Sequence, residues 1–265
     1  MKIRMYQVDA FADRIFTGNP AAVCPLPDKW LENTVMQNIA MENNLAETAF
    51  YIIRDTKYHI RWFTPQVEVD LCGHATLATG HVLFNHEKYS GSEIEFESKS
   101  GVLKVRKEKE FVVLNFPTDT LKQVDLTNDV TECFDVKPVE VYKGKSDYML
   151  VFKNEGQIKN IRYNLKRINE SDGRGVIITA RGNDVDFVSR FFAPQCGIEE
   201  DPVTGSAHTT LTPYWSKVLN KDLLKAKQLS RRGGMLVCRN LGSRTEISGL
   251  AKTYLVGEIS LKDSL

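Results

Sequence analysis

The amino-acid sequence predicts an α+β fold made of two similar halves, and three observations support this prediction. Three short motifs recur in the same order in the two parts of the chain. Each part also contains strand-like segments on both sides of a helical segment. Neither GxGxxG nor GxxxxGK[ST] occurs, so a nucleotide-binding fold has no motif to support it. A parallel doubly wound sheet is therefore disfavoured.

The recurring motifs indicate an internal duplication. "RWFTPQ" and "RFFAPQ" begin 129 residues apart (190 − 61), "GHATL" and "GSAHT" 132 apart (205 − 73), and "GVLKVR" and "GMLVCR" 133 apart (234 − 101). Such a small drift favours two like domains, and the period is far too long for a solenoid. The alternative is coincidence among β-rich segments. We predict halves at residues 1–117 and 118–265, joined by the polar segment "PTDTLKQVDLTND".

The individual elements follow from hydrophobic patterning. The first half contains one amphipathic helix, "KWLENTVMQNIAMENN", and the strands "IRMYQVDAF", "TAFYIIR", "YHIRWFT", "EIEFES", "GVLKVRK" and "FVVLNF". The second half contains a helix from about Ser206 and the strands "GVIITAR", "DFVSRFFA", "GMLVCR", "RTEISG" and "TYLVGEISL". The order of elements is similar in the two halves.

Composition excludes several classes of function. The 265 residues carry a formal net charge of +1, which gives no electrostatic reason to expect a nucleic acid or an anionic membrane as partner. No apolar run reaches the length of a signal sequence or a membrane span. Five scattered cysteines without a CxxC pair are typical of reduced thiols, so we expect a cytoplasmic protein.

Each half contains a glycine at the predicted start of a helix of small residues. Gly73 precedes His74 in the first half, and Gly205 precedes Ser206 in the second. Exposed N–H groups at a helix start attract carboxylates, so these two positions favour a small carboxylate-bearing substrate. The alternative is that both glycines form tight turns and that the neighbouring side chains are structural caps.

Four sequence blocks resemble the PhzF family of phenazine biosynthesis: "TGNPAAVCPL", "AETAF", "FTPQVEVDLCGHATLATGHVL" and "FFAPQCGIEEDPVTGSAH". The resemblance covers nearly the whole chain. It implies a fold like that of diaminopimelate epimerase, in which each half is a mostly antiparallel sheet around a central helix and the active site lies in the cleft between the halves. It also implies a homodimeric, cofactor-independent isomerase that moves a proton on a dihydro-hydroxyanthranilate-like substrate.

Three residues are the predicted catalytic groups. Glu47, in "NLAETAFYI", is an acid in an apolar segment, an environment suited to general acid/base catalysis, although an exposed strand-edge position is the alternative. Its match to the family's catalytic glutamate favours catalysis. His74 and Asp201 resemble active-site residues of the family, but from the residues alone a capping histidine and a capping aspartate are alternatives.

Five further residues are predicted to bind the substrate: Asn19, Gly73, Thr204, Gly205 and Ser206. Asn19 resembles a pocket residue of the family, whereas Asn-Pro is also an ordinary turn signal. Ser206 offers a hydroxyl, but a serine at this position is also a common capping residue.

Cys72 raises the questions of a metal site and of thiol catalysis. Cys72, His74 and His81 lack a second close pair of ligands, so no zinc site is expected. Diaminopimelate epimerase uses a cysteine beside each helix start. Cys72 resembles the first, whereas the second half has Pro202-Val203 in the corresponding place. An amino-acid epimerase therefore has less support than the isomerase, and a binding protein that kept the fold without catalysis is a further alternative.

Overall fold

The computed structural model describes residues 1–126 and 129–261, and it divides the chain into two compact units. The first unit comprises Met1–Asn115 and Ser248–Leu265, and the second comprises Phe116–Ile247. The sequence placed residues 118–265 together in the second half. The difference concerns the C-terminal strand, which belongs to the first unit because it pairs with the N-terminal strand. Residues 127 and 128 of the expected linker lie outside the described residues.

The first unit is a mostly antiparallel sheet with two helices. Its elements are β1 (Lys2–Ala10), β2 (Asn19–Pro25), α1 (Asn33–Asn43), β3 (Glu47–Arg54), β4 (Lys57–Phe63), β5 (Glu68–Val69), α2 (Gly73–Asn85), β6 (Glu93–Ser98), β7 (Gly101–Glu108), β8 (Phe111–Pro117) and β17 (Ala251–Ser260). β17 and β2 flank β1 and are both antiparallel to it. β2 pairs parallel with β3, β3 and β4 form a hairpin, and β4 pairs parallel with β6. β6, β7 and β8 continue as an antiparallel meander.

The second unit repeats this topology. Its elements are β9 (Lys122–Val124), β10 (Glu140–Lys143), β11 (Asp147–Val151), α3 (Glu155–Asn160), α4 (Leu165–Asn169), β12 (Gly175–Arg181), β13 (Phe187–Phe192), α5 (Gly205–Leu219), β14 (Leu223–Gln228), β15 (Gly234–Asn240) and β16 (Arg244–Gly249), with 3-10 turns at Asp129–Cys133 and Pro194–Cys196. β11 pairs parallel with β12, β12 and β13 form a hairpin, and β13 pairs parallel with β14. Every pairing has its counterpart in the first unit, so the topology supports the duplication that the motifs indicated.

The two ends of the repeat are exchanged along the chain. β9 follows β8 in sequence but pairs with β10 of the second unit. β17 follows β16 in sequence but pairs with β1 of the first unit. Each unit therefore contains one strand that follows the strands of the other unit in the sequence. This strand is β17 in the first unit and β9 in the second. A division of the sequence at a single point near 117 does not capture this arrangement.

Helices α2 and α5 are the central helices of their units. In α2 every residue from His74 to Gly80 is buried, and so are Val82, Leu83 and Phe84. A helix that is buried around most of its circumference needs small residues where strands approach closely. Gly80 shows this requirement, because a Cβ atom there would lie 2.7 Å from Cγ1 of Val105 in β7. The small residues after Gly73 therefore have a packing function.

The motif shared by the two halves, R(W/F)F(T/A)PQ, forms the same ion pair twice. In the first unit, Arg61 Nε and Nη2 lie 2.7 and 2.8 Å from the two carboxylate oxygens of Glu68. In the second unit, Arg190 makes the same two-pronged contact with Glu200 at 2.7 and 3.0 Å. Each guanidinium also lies over the aromatic ring two residues later, at 5.2 Å and 5.0 Å from the ring centre. The motif is therefore a structural clamp that fixes the chain after the hairpin.

Most strands predicted by alternation are present within a residue or two of the expected bounds. The expected first helix begins later than predicted, at Asn33, and the expected linker contains the short strand β9. The sequence reading did not find β2, β5, β9, β10, β11, β14 or the short helices α3 and α4. Among the described residues, no helix combines the length and apolar character needed to cross a membrane.

Replacing Arg190 with leucine is expected to destabilise the chain strongly. The Arg190 side chain is only 10% exposed, so its loss leaves the carboxylate of Glu200 desolvated and without its guanidinium partner. Removal of one partner of a buried pair typically costs about 3–5 kcal/mol. Urea unfolding of Arg190→Leu should show a loss of this order in the free energy of unfolding.

Arg162→Leu is the matched control. Arg162 also pairs with an aspartate in the second unit, but its side chain is 88% exposed. An exposed ion pair contributes only about 0–1 kcal/mol. Equal destabilisation by the two substitutions would show that the Arg190–Glu200 ion pair contributes no more to the free energy of unfolding than an exposed ion pair does.

Candidate active site

A buried carboxylate and a buried imidazole meet in the first unit. Glu47 is the first residue of β3, and His74 is the second residue of α2. His74 Nε2 lies 2.9 Å from Glu47 Oε2, and the two residues are 5% and 8% exposed. This Oε2 atom accepts no well-aligned hydrogen bond from the described residues. The contact is therefore an ion pair whose carboxylate oxygen is buried and accepts no aligned hydrogen bond within the described part of the chain.

Asn19 and Cys72 surround the other nitrogen of the same ring. Asn19, the buried first residue of β2, places Nδ2 3.2 Å from His74 Nδ1. Cys72 Sγ lies 3.6 Å from this nitrogen. The amide of Asn19 suits either state of the ring, since its NH2 group donates to a neutral Nδ1 and, when rotated, its oxygen accepts from a protonated one. Asn19 therefore orients the ring whose Nε2 faces Glu47.

The environment of His74 favours its charged form. Burial alone would lower the pKa of His74, but the neighbouring Cys72 and Glu47 raise this pKa well above its ordinary value. Burial raises the pKa of Cys72 to about 11, so Cys72 is a neutral thiol near pH 7. With Cys72 neutral, the carboxylate of Glu47 is the neighbouring charge that raises the pKa of His74 against the lowering by burial. The first unit thus contains a desolvated carboxylate–imidazole pair.

Histidine 81 does not join this group. His81 Nε2 lies 3.0 Å from Oγ1 of Thr253, and its Nδ1 lies 3.1 Å from Nδ2 of Asn85. Burial, which is reinforced by nearby cationic groups, lowers the pKa of His81 to about 4. The set Cys72, His74 and His81, which the sequence analysis rejected as a zinc site, is therefore separated in the structure.

The predicted residues of the second unit form a clasp at the start of α5. Thr204 is the residue before the helix, and its hydroxyl donates to Oδ2 of Asp201. Gln228 Oε1 accepts from the Thr204 backbone N–H at 2.9 Å, and Gln228 Nε2 donates to the Asp201 carbonyl at 2.8 Å. All three residues are buried. The Asp201 side chain thus contacts the hydroxyl of the residue before the helix rather than a helix N–H, and its catalytic role stays a prediction.

Gln228 was not found from the sequence, although a signal was present. Exposed and buried residues alternate along β14. The buried positions are Leu224, Ala226 and Gln228. A polar side chain at a buried position of an alternating strand requires a polar partner. The alternation of "LLKAKQ" therefore indicates a polar contact at Gln228, but the partner was not deducible.

Ser206 lies beside an arginine that sequence reasoning also missed. Arg174 Nη2 donates to Ser206 Oγ at 3.1 Å, and Arg174 pairs with the buried Asp147 at 2.9 and 2.6 Å. Gly205 is the first residue of α5, so a positive side chain stands near a helix start. Nothing in the local sequence "SDGRGV" distinguishes this arginine from an ordinary loop residue.

The starts of α2 and α5 are equivalent positions in the repeat but carry different chemistry. Cys72 precedes α2, and Thr204 precedes α5. The counterpart of Cys72 in the second unit is thus the hydroxyl of Thr204, rather than the Pro202-Val203 dipeptide compared in the sequence. The second unit therefore has no thiol at the equivalent place.

A sequence profile of the PhzC-PhzF family, described as phenazine biosynthesis-like protein, matches residues 8–257. The chain belongs to the PhzF family. A protein of Pseudomonas aeruginosa named as an uncharacterized isomerase is 47% identical over 261 residues, which cover 98% of this chain and 100% of that protein. The crystal structure of a PhzF-family phenazine biosynthesis protein from Enterococcus faecalis is 46% identical with a TM-score of 0.95, covering 98% of this chain and 100% of that chain.

A more distant structure shows the breadth of the fold. A hydroxyproline epimerase from Agrobacterium vitis is 10% identical, with a TM-score of 0.61 and coverage of 99% of this chain and 94% of that chain. At this identity the likeness concerns the fold alone. The comparisons confirm the predicted family and the epimerase-like α+β fold, and the names of the relatives support an isomerase.

The PhzF-family chain is expected to lose stability between pH 6.5 and 4 through His208. This residue of α5 is fully buried, and burial lowers its pKa to about 4. An unfolded histidine titrates near pH 6.5, so the unfolded state binds more protons between these values and stability falls as the pH falls. Urea unfolding of His208→Gln should lose about 2 kcal/mol less between pH 7 and pH 5 than the parent protein loses.

Glutamine is a suitable replacement because its amide can still donate to the Thr204 carbonyl, which His208 Nδ1 contacts at 2.8 Å. His81, with a pKa also near 4, retains part of the pH dependence in the variant. Identical losses in the parent and His208→Gln would show that His208 is not held neutral.

Proposed function

We propose that this PhzF-family chain is an isomerase that moves a proton between two carbon atoms of a small carboxylate-bearing substrate without a cofactor. The observation that supports this proposal most directly is the buried contact of 2.9 Å between Glu47 Oε2 and His74 Nε2. The oxygen in this contact accepts no aligned hydrogen bond from the described residues. A desolvated carboxylate whose oxygen is not engaged by an aligned hydrogen bond is well suited to take a proton from carbon.

In the proposed reaction Glu47 acts first as a base and then as an acid. The carboxylate takes a C–H proton, and the electron pair of that bond passes into the conjugated system that bears the substrate carboxylate. The protonated Glu47, whose proton can exchange with solvent, then gives a proton to a second carbon of that system. No electron leaves the substrate, so the balance requires no oxidant, reductant or further reactant. A dihydro-hydroxyanthranilate-like ring has the required conjugation.

In this proposal His74 provides the positive charge beside the base. An imidazolium fixed by Asn19 holds the Glu47 carboxylate in place and offsets the negative charge that develops on the substrate. A fixed charge in a desolvated site is more effective than the same charge in water. The proton shift is therefore assigned to a pair of residues, with Glu47 as the group that contacts the reacting carbon.

The helix starts are the proposed carboxylate-binding positions. The first turn of α2, from Gly73, contains no acidic side chain, and the same holds for α5, from Gly205. The Thr204 N–H is engaged by Gln228, so Gly205 and Ser206 are the better candidates in the second unit. Arg174, which donates to Ser206, adds a positive charge that favours an anion there.

The two rival functions require different chemistry. A two-base amino-acid epimerase needs a second base, whereas the equivalent of Cys72 in the second unit is the hydroxyl of Thr204. A binding protein without catalysis needs no desolvated ion pair, which is costly to form in a folded chain. Loss of optical rotation from an amino acid would favour the epimerase.

Glu47→Gln is expected to abolish proton transfer while it leaves the fold intact. The amide has nearly the same shape as the carboxylate but cannot serve as a base. Positioned acid/base catalysis typically contributes about 10²–10⁴ in rate, so a loss of this size is expected. The measurement is proton NMR of trans-2,3-dihydro-3-hydroxyanthranilate in D2O, which follows both isomerisation and deuterium uptake.

Glu97→Gln is the matched control for this experiment. Glu97 is also a carboxylate of the first unit that faces a histidine, with Oε2 at 3.4 Å from His59 Nδ1, but both side chains are partly exposed. This variant should isomerise the substrate at the parental rate. Full activity in Glu47→Gln, with circular dichroism showing the same fold, would refute the assigned role.

Asp201→Asn separates a catalytic role of Asp201 from a purely structural one. Asparagine keeps an oxygen that accepts from the Thr204 hydroxyl, so the clasp should persist and the melting temperature should change little. If the carboxylate acts on the substrate, as the sequence analysis predicts, kcat should fall by at least about tenfold. Gln228→Leu disrupts the same clasp and should mainly lower the melting temperature. A parental kcat in Asp201→Asn would remove Asp201 from the catalytic residues.

A further inference from the structure

The loop between β1 and β2 leads directly to the candidate site. It comprises residues 11–18, and we call it the β1–β2 loop. The next residue is Asn19, which is fully buried, pairs with Ala10 of β1 and contacts the imidazole of His74. The course of the β1–β2 loop therefore helps to determine where the Asn19 amide lies relative to this imidazole.

The end of the β1–β2 loop has a backbone conformation that few side chains adopt. Phe16 has a φ of +71°, which lies in the left-handed region and is unfavourable for a bulky residue. Gly18 has a φ of +69°, and a Cβ atom there would lie 2.2 Å from the Ala10 carbonyl oxygen. A phenylalanine keeps such a conformation only when surrounding contacts hold it there.

Asp9 supplies one such contact from the interior of the first unit. This residue of β1 is only 2% exposed, and its Oδ2 accepts a hydrogen bond of 2.8 Å from the Phe16 backbone N–H. Hydrogen bonds to an ionised carboxylate are stronger than those between neutral groups. The Phe16 side chain is 64% exposed, so burial of its ring gives only limited support to the strained backbone. The Asp9 carboxylate is therefore well placed to hold the end of the loop.

We propose that Asp9 is a positioning residue for the candidate site. It fixes Phe16, and the chain from Phe16 to Asn19 then places the Asn19 amide at Nδ1 of His74, 3.2 Å away. The other nitrogen of the same ring faces Glu47. The effect of Asp9 on catalysis rests on the proposed function, whereas its effect on the environment of His74 rests on these contacts alone.

A role of Asp9 in hairpin stability alone is the alternative. A buried carboxylate that accepts from a backbone N–H stabilises a hairpin whether or not a functional site lies nearby. Such a role would lower the melting temperature on substitution but would leave the ring nitrogens of His74 in their parental state. The state of this imidazole therefore separates the two roles.

The first test is NMR of the imidazole nitrogens in the full-length protein. The signals that disappear in His74→Gln identify His74 among the five histidines of the chain. Asp9→Ala should shift the Nδ1 signal of His74, because the Asn19 amide no longer faces this nitrogen in a fixed position. Asp13→Ala, which changes an exposed aspartate of the same loop, is the matched control and should leave the signal unchanged. A parental signal in folded Asp9→Ala would overturn the proposal.

Substitutions of Phe16 test whether Asp9 acts through the strained backbone. Glycine adopts a positive φ about as readily as a negative one, whereas alanine does not. In the Asp9→Ala background, Phe16→Gly should move the His74 signal back towards the parental position. Phe16→Ala removes the same ring but keeps the strain, so it should not. Equal effects of the two substitutions would contradict the proposed link between Asp9 and the loop.

Kinetics of the proposed isomerisation test the path through Asn19. Asp9→Ala should lower kcat by at least about tenfold with little change in KM, since a displacement of about 1 Å can cost about 100-fold in rate. Added to Asn19→Ala, the same substitution should cause no further loss, because both act through one contact. Losses that multiply would show that Asp9 does not act through Asn19. If the parent protein does not isomerise the substrate, the proposed function fails, while the His74 signals still decide the role of Asp9.

Phe16→Pro tests the same contact from the exposed side if Asp9→Ala does not fold. Proline lacks the N–H group that donates to Asp9 and cannot adopt a positive φ. Residue 16 is exposed, so the first unit should remain folded, which circular dichroism checks. Phe16→Pro should shift the Nδ1 signal of His74, and a parental signal in this variant would overturn the proposal.

Discussion

The buried pair of Glu47 and His74 is the contact on which the chemistry of the first unit depends. A charged imidazole at the start of α2 is unfavourable for two reasons. Burial removes its hydration, and the helix start itself carries a partial positive charge. The carboxylate 2.9 Å away compensates for both effects. The sheet supplies this carboxylate, because β3 begins at Glu47 and pairs parallel with β2, whose first residue, Asn19, contacts the same imidazole. The strand starts and the helix start thus meet as a consequence of the crossover topology.

The duplicated architecture explains which parts of the sequence remained similar. The arginine–glutamate clamp is present in both units, because it fixes the chain between the hairpin and the central helix. The starts of the central helices differ: Cys72 and His74 lie beside Glu47 in one unit, and Thr204 lies in a clasp with Gln228 in the other. The clamp recurs, whereas the side chains at the starts of the central helices are specific to each unit. The repeat is therefore visible in scaffold residues and weak at the candidate site.

Alternation alone does not separate the strands that were predicted from those that were missed. β7 shows alternating burial and was predicted, whereas β14 alternates as well and was missed. Among the other missed strands, β11 is buried at every position, and β2 contains two prolines that resemble turn signals. A strand covered on both faces has no alternation to detect. The pairing of β17 with β1 was also invisible, because pairing partners more than a hundred residues away leave no local pattern.

Motifs also decide which residues of the candidate site could be predicted. Glu47 and His74 were predicted because each lies in a motif, and Asn19 and Ser206 because each follows a small residue in a recognisable block. Arg174 and Gln228 belong to no motif, and their contacts with Ser206 and Thr204 appear only in the folded chain.

Cys72 adjoins the Glu47–His74 pair without taking part in the proposed proton transfer. Burial raises the pKa of the Cys72 thiol to about 11, so near pH 7 the residue is a thiol that neither accepts a proton from the substrate nor attacks it. In the proposed reaction the Glu47–His74 pair can then exchange protons without interference from the sulfur 4.0 Å from Nε2. The same burial that desolvates the pair therefore excludes Cys72 from its acid/base chemistry.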